Sequence, residues 1–193
     1  MKTVFLFFNV SFLTNQLLIA MPHMKDPFFS KSVIYICEHS RAGTMGIIIN
    51  KQFNDSKLNS FFGNLFTLDK KYNSLKDDIY FGGPVLVEKG LIIHLSNNKT
   101  PESICVSNSI CITSDLSFLT QLNEKNNAPF KLMLGHAGWS SGQLEKELEN
   151  GDWLVQNTTD DFLLSIPAKQ MWKQATKSLG FDTNTSIGMT GQA

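Results

Sequence analysis

An α+β fold in a single domain is what this 193-residue chain predicts. Three observations carry that expectation. Short apolar runs rich in β-branched residues, bounded by Pro and Gly, recur along the chain and read as buried strands. Other segments, interspersed among them and closing the chain, space their apolar residues at helical intervals. No internal repeat is visible and no linker is long enough to divide the chain, so one full-sized core is expected.

The stretch from Gln16 to Lys51 organises the rest. It holds three strand-like runs, Leu17–Met21, Val33–Cys37 and Met45–Ile49. A Pro22-to-Pro27 link joins the first two. Ser40-Arg41-Ala42-Gly43 joins the second and third as a hairpin loop, with Gly43 free to take a positive φ. Leu58–Phe66 has helical spacing, and the charged stretch from Leu68 to Asp78 reads as a solvated connection. Ile79-Tyr80-Phe81 is a strand ended or bulged by Gly82-Gly83-Pro84, since Pro84 offers no N–H to a ladder. Gly90–Leu95 is a further strand, followed by a loop over Asn97–Thr100.

Ile104–Thr113 reads as a hairpin around Ser107-Asn108-Ser109, with Cys105 facing Cys111 across the ladder. That pair is either redox-sensitive or simply two small apolar residues on one face, and the second reading is preferred. Ser114-Asp115 caps a helix to about Asn123. Phe130–Leu134 is a core strand that runs into a glycine-rich turn, Gly135 to Trp139. Ser140 with Gln143 has capping-box spacing for a helix that stops at Gly151. Trp153–Val155 is extended. Pro167 opens a last helix with Ala168, Met171, Trp172, Ala175 and Leu179 on its apolar side.

The bulk numbers exclude several classes. Seventeen basic residues balance seventeen acidic ones, which argues against binding nucleic acid by general phosphate neutralisation. Three cysteines without a CxxC suggest neither a disulfide framework nor a zinc knuckle, and a reducing, cytoplasmic setting is expected. Residues 1–15 imitate a signal peptide, with Lys2 before an apolar run. The run is interrupted by Asn9, Thr14 and Asn15 and is too short for a bilayer. Cleavage after Ala20 would also remove the first strand. Residues 1–15 are therefore read as an apolar extension from a mis-called start, residues 16–193 as the domain, and no membrane association is expected.

Four features have the residue types of a functional site. Cys37, Glu38 and His39 end a strand; with two-residue alternation Cys37 and His39 share a face, and an imidazolium there would lower the thiol pKa. Gly138-Trp139-Ser140-Ser141-Gly142 matches G-x-S-x-G between a strand and a helix. All four histidines precede Ser140, against the order of such hydrolases, and Ser140 already serves as a cap. The same glycines could hold an anion at a helix N-terminus, although no Walker-type lysine follows. Lys169, Lys173 and Lys177 form one helical stripe, able to follow phosphates but read as a solvated edge. No cofactor and no metal are expected, because no ligand spacing joins His94 or His136 to the others.

At this point the motifs support a family resemblance. Leu18 to Pro22, Asp26-Pro27-Phe28-Phe29, Tyr35 to His39 and Met45-Gly46 resemble the AlgH/YqgE family of bacterial proteins. The later runs Tyr80 to Val85, Gly135 to Trp139, Gly142 to Glu145 and Gly151 to Leu154 follow in the family's order. The resemblance spans about Gln16 to Ala193. It implies a cytoplasmic domain with a strongly bent, bifurcated sheet closing into a pseudo-barrel, with helices packed outside. It implies no reaction. Some members are described as transcriptional regulators without a recognisable DNA-binding motif.

The leading expectation is therefore a non-enzymatic binding or regulatory module, redox-responsive through Cys37, with an unidentified protein or small molecule as partner. Its surface would gather Gly82, Gly83, Pro84, Gly135, Gly138, Trp139 and Gly142 at one end of the sheet. Two alternatives stand beside it: a thiol-dependent or anion- or nucleotide-binding enzyme using Cys37, His39 and the Gly135–Gly142 turn, and a nucleic-acid binder using the Lys169, Lys173 and Lys177 helix.

Overall fold

The computed structural model describes residues 13–52, 79–119, 121, 128–178 and 180. The expected extension and the helix over 58–66 lie largely or wholly outside them, as does the connection over 68–78. Nine strands and three α-helices lie wholly within the described residues, with a 3-10 turn over Ser96–Asn98. The strands are β1 (Gln16–Ala20), β2 (Val33–Ser40), β3 (Gly43–Ile48), β4 (Ile79–Phe81), β5 (Val85–Leu95), β6 (Ile104–Cys105), β7 (Ile110–Thr113), β8 (Phe130–Ser140) and β9 (Trp153–Asn157). The helices are α1 (Gln143–Glu149), α2 (Asp160–Leu164) and α3 (Ala168–Ser178).

The strands run β6-β7-β5-β8-β3-β2-β1-β9, with β4 branching from β8. All neighbours are antiparallel except β4 and β8. The fork has a simple cause. At one end β3 pairs directly with β8, Gly46 opposite Ala137 and Gly43 opposite Ser140. At the other end the two strands part and β4 enters between them: Phe81 N–H donates to Lys51 O, Ile48 N–H to Gly82 O and Gly82 N–H to Leu134 O. This is the bent, bifurcated sheet that the resemblance implies.

Both faces of the sheet are buried, which is why its strands read as unbroken apolar runs. One face packs Leu18, Ile34, Ile36, Ile48, Phe81, Leu134, Trp139 and Trp153. The other packs Leu17, Val33, Tyr35, Ile47, Met133 and, from the helices, Leu163, Met171, Trp172 and Ala175. Asp26 fixes the Pro22–Pro27 link by accepting from Phe28 N–H and Phe29 N–H at 2.8 and 2.9 Å. The turn lays Phe28 against Phe81 and Phe29 against both Trp139 and Trp153.

Three expectations need correction, and one short helix goes unmarked in the sequence. The stretch Gly135–Trp139 is not a turn: β8 continues to Ser140, because Gly135 at φ 72° bends the strand and lets it change neighbours. Ser140 is not the N-cap of α1. Gly142 holds that position at φ 73°, and Gln143 Oε1 instead accepts from Ser140 N–H and Oγ. The hairpin places Cys105 opposite Cys111 as expected, yet the two are joined in a disulfide rather than packed as free thiols. The short helix α2, capped by Thr159 Oγ1 accepting from Phe162 N–H, carries too few residues to show a helical period in the sequence.

Candidate functional site

The end of the sheet where β2, β3 and β8 run together holds most of the singled-out residues. Two rows cross these strands. One joins Glu38, Met45 and Gly138, the other His39, Thr44 and Trp139. Residues opposite one another share a face, and adjacent rows point to opposite faces. The His39 row therefore faces the Trp139 core. The Glu38 row faces the other side, continuous with Ile47 and Tyr35.

Cys37 does not share a face with His39. The register of β2 against β3 shifts between Ile36 and Glu38, a β-bulge that inserts Cys37 as an extra residue. Two-residue alternation fails across that point. Cys37 packs on the Tyr35 side and its Sγ lies 3.5 Å from Tyr35 O. Burial pushes this thiol well above the ordinary cysteine range, the opposite of an activated thiolate. It is the free cysteine of the three.

His39 is engaged elsewhere. Its Nδ1 is 2.7 Å from Thr44 Oγ1 and its Nε2 is 3.6 Å from Glu145 Oε1 on α1. A second network lies beside it. Glu147 Oε2 accepts from Trp139 Nε1 at 2.9 Å and from Trp153 Nε1 at 2.7 Å, and Oε1 accepts from Gln143 Nε2 at 2.9 Å. Helical spacing marks Leu144 as the inward residue of α1 and gives Glu145 and Glu147 no such mark. Only the tertiary arrangement turns them toward His39 and the two indoles.

Gly82, Gly83 and Gly135 come together, and they pack the fold. A Cβ on Gly82 would stand 2.2 Å from Gly135 O, and one on Gly83 2.2 Å from His136 C. Here the chain crosses over β8 in backbone contact before Val85 pairs with His136. Pro84 is exposed at that crossing. The G-x-S-x-G serine has no histidine partner, since Ser140 Oγ bonds Gln143. Lys169, Lys173 and Lys177 are all exposed on the outer side of α3, opposite the side that packs. Among the described residues no group of three or more His, Cys, Asp or Glu could hold a metal. No described helix is long and apolar enough to cross a membrane.

A single α+β domain built on a forked, curled sheet, with a hydrogen-bonded cluster at the end where β2, β3 and β8 meet, is the class defined by this geometry. The AlgH-like family profile matches residues 17–184, and the chain belongs to that family. A UPF0301 protein of Idiomarina loihiensis is 39% identical over 172 residues, covering 88% of this chain and 92% of that protein. The UPF0301 protein YqgE of Salmonella agona is 35% identical over 185 residues, covering 94% and 99%. The solution structure of the AlgH protein from Pseudomonas aeruginosa superposes with a TM-score of 0.67 at 26% identity, over the whole of both chains.

Proposed function

We propose that this chain is a binding module whose partner seats on Gly138. The observation that carries the reading is that neither the fold nor its backbone requires glycine there. Among the other described glycines, Gly43, Gly46, Gly82, Gly83, Gly90 and Gly135 have a Cβ position blocked by neighbouring atoms. Gly142, Gly151 and Gly180 have positive φ. Gly138 has neither constraint: an added Cβ would meet only Val85 Cγ2, at 3.9 Å. A strand glycine of this kind leaves room for a close approach from outside.

Its surroundings support the same reading. Gly138 is exposed between half-buried Met45 and Val85, and Val85 and the next residue along the chain, Leu86, are 40% and 52% exposed. Leu86 is held at φ 49°, a conformation that costs a bulky residue on the order of 1–3 kcal/mol and is favoured where strain serves a site. Small, apolar and exposed, the patch suits an apolar side chain of a protein partner. A regulatory role would act through that complex, with Glu38 and the Arg41-Ala42 hairpin tip at its rim.

Substitution separates binding from folding here. Gly138→Ala should leave the melting temperature unchanged or slightly raised. Gly138→Phe and Leu86→Asp should retain the fold by circular dichroism and lose the proteins co-purified by wild type from its own cell extract. If both variants keep the same partners at the same yield, the surface lies elsewhere.

A further inference from the structure

Independently of that surface, the geometry points to a second site: Thr44, His39 and Glu145 form a hydroxyl–imidazole–carboxylate relay able to carry out acyl transfer from small activated esters. Thr44 Oγ1 lies 2.7 Å from His39 Nδ1, within reach for transfer of the hydroxyl proton. His39 Nε2 lies 3.6 Å from Glu145 Oε1, and a carboxylate there favours the tautomer with hydrogen on Nε2. That tautomer leaves the Nδ1 lone pair facing the hydroxyl, which is what a general base requires. The imidazole is enclosed, its side chain 8% exposed, while Glu145 is 49% exposed. Thr44 is itself buried, one residue from the hairpin end and next to half-buried Gly43 and exposed Ala42, so a small acyl group would enter past the hairpin tip.

The chemistry closes without a cofactor. Thr44 Oγ1 attacks the acyl carbon as its proton passes to His39 Nδ1. The tetrahedral adduct collapses with cleavage of the bond to the leaving oxygen, which takes the proton back from Nδ1. Water then attacks the Thr44 ester, gives its proton to Nδ1, and Thr44 Oγ1 regains one as the acid departs. Thr44 is the nucleophile, His39 the base and Glu145 a positioning residue.

The test uses the full chain with p-nitrophenyl acetate. A burst of p-nitrophenolate with acetyl mapped by mass spectrometry to Thr44 is expected. Thr44→Val and His39→Gln should each lower the rate on the order of 100-fold. Thr44→Ser keeps the hydroxyl and should keep the burst. Glu145→Gln should lower kcat with KM unchanged, a split that a purely structural role for the carboxylate would not produce. Acetyl found on other residues, or a Thr44→Val protein that is folded and reacts like wild type, overturns the assignment.

Discussion

Cys37 and His39, two positions apart on β2, point to opposite faces of the sheet, because the bulge between Ile36 and Glu38 spends one residue without advancing the ladder. The thiol is thereby sent toward the helix-covered core and the imidazole toward Thr44 and Glu145. Neither can activate the other. On the folded protein, Cys37 should react with iodoacetamide far more slowly than a free thiol at neutral pH, rising only with alkali or denaturant. Peptide-level mass mapping of the alkylation would show this, and rapid labelling with a midpoint below about 8.5 would refute a raised thiol pKa. His39→Ala should leave that rate unaltered.

Gly82, Gly83 and Gly135 meet where the chain crosses β8, and the atoms that an added Cβ would strike belong to the backbone, at 2.2–2.4 Å. Backbone in a paired sheet cannot give way as a flexible side chain can. Gly83 also sits at φ 148°, outside the ordinary range of L residues. Gly83→Ala should therefore destabilise the protein by more than 2 kcal/mol on an approximate scale for such overpacking and strain, roughly. Urea titration of Gly83→Ala beside Gly138→Ala makes the comparison internal: the first should shift the midpoint strongly, the second hardly at all.

The strands were legible in the sequence because each is a short apolar run cut by Pro or Gly, and the hairpin ends followed from turn chemistry at Ser40–Gly43 and Ser107–Ser109. What the pattern could not carry was anything set by register. A bulge has no compositional mark, so Cys37 and His39 were assigned to one face. Gly135 looked like a turn because a bend within a strand uses the same residue as a turn between strands. The relay from Thr44 through His39 to Glu145 joins residues about a hundred positions apart, with only the common residue types to announce it. Gly82, Gly83 and Gly135 come together for packing, a role that their residue type alone does not distinguish from a binding surface.

Glu147 is shared by two buried indoles. Trp139 and Trp153 both donate to Oε2, and their rings meet edge to face at a centroid distance of 6.0 Å. Glu147→Ala would leave both N–H groups without this acceptor in a nearly closed environment. A loss of roughly 3 kcal/mol follows from two stranded donors at about 1–3 kcal/mol each. Tryptophan emission should shift to the red as water reaches the indoles. Glu147→Gln retains an acceptor oxygen and should lose less than half as much.

The Cys105–Cys111 bond ties the two-residue edge strand β6, which exposes Ile104, to buried β7. Cys105 is exposed and Cys111 enclosed, so an external thiol reaches the bond from the Cys105 side. Closing so short a loop stabilises by roughly 2 kcal/mol on the chain-entropy account. Dithiothreitol should lower the melting temperature of wild type and leave that of a Cys105→Ser, Cys111→Ser double variant unchanged. Equal effects on both proteins would mean that the bond contributes nothing to the fold.

Lys131 carries the clearest pH dependence. Its side chain is buried, and its partners among the described residues are weak: Nζ is 3.4 Å from Ile49 O, 3.7 Å from Met171 Sδ and 5.3 Å from the Tyr80 ring centroid. Neither ion pair among the described residues involves it. Burial lowers its pKa from 10.5 to about 8. Between those values the unfolded chain holds a proton that the folded chain has released, so stability rises with pH through this window, and the full cost of burying the ammonium is present below it. That cost is roughly 3 kcal/mol at about 1.4 kcal/mol per pH unit. Lys131→Met keeps the length and removes the charge. The variant should melt higher than wild type at pH 7, and its advantage should shrink steadily as the pH is raised toward 10.5. A difference that stays constant across the range would mean that the lysine is solvated and ionises normally.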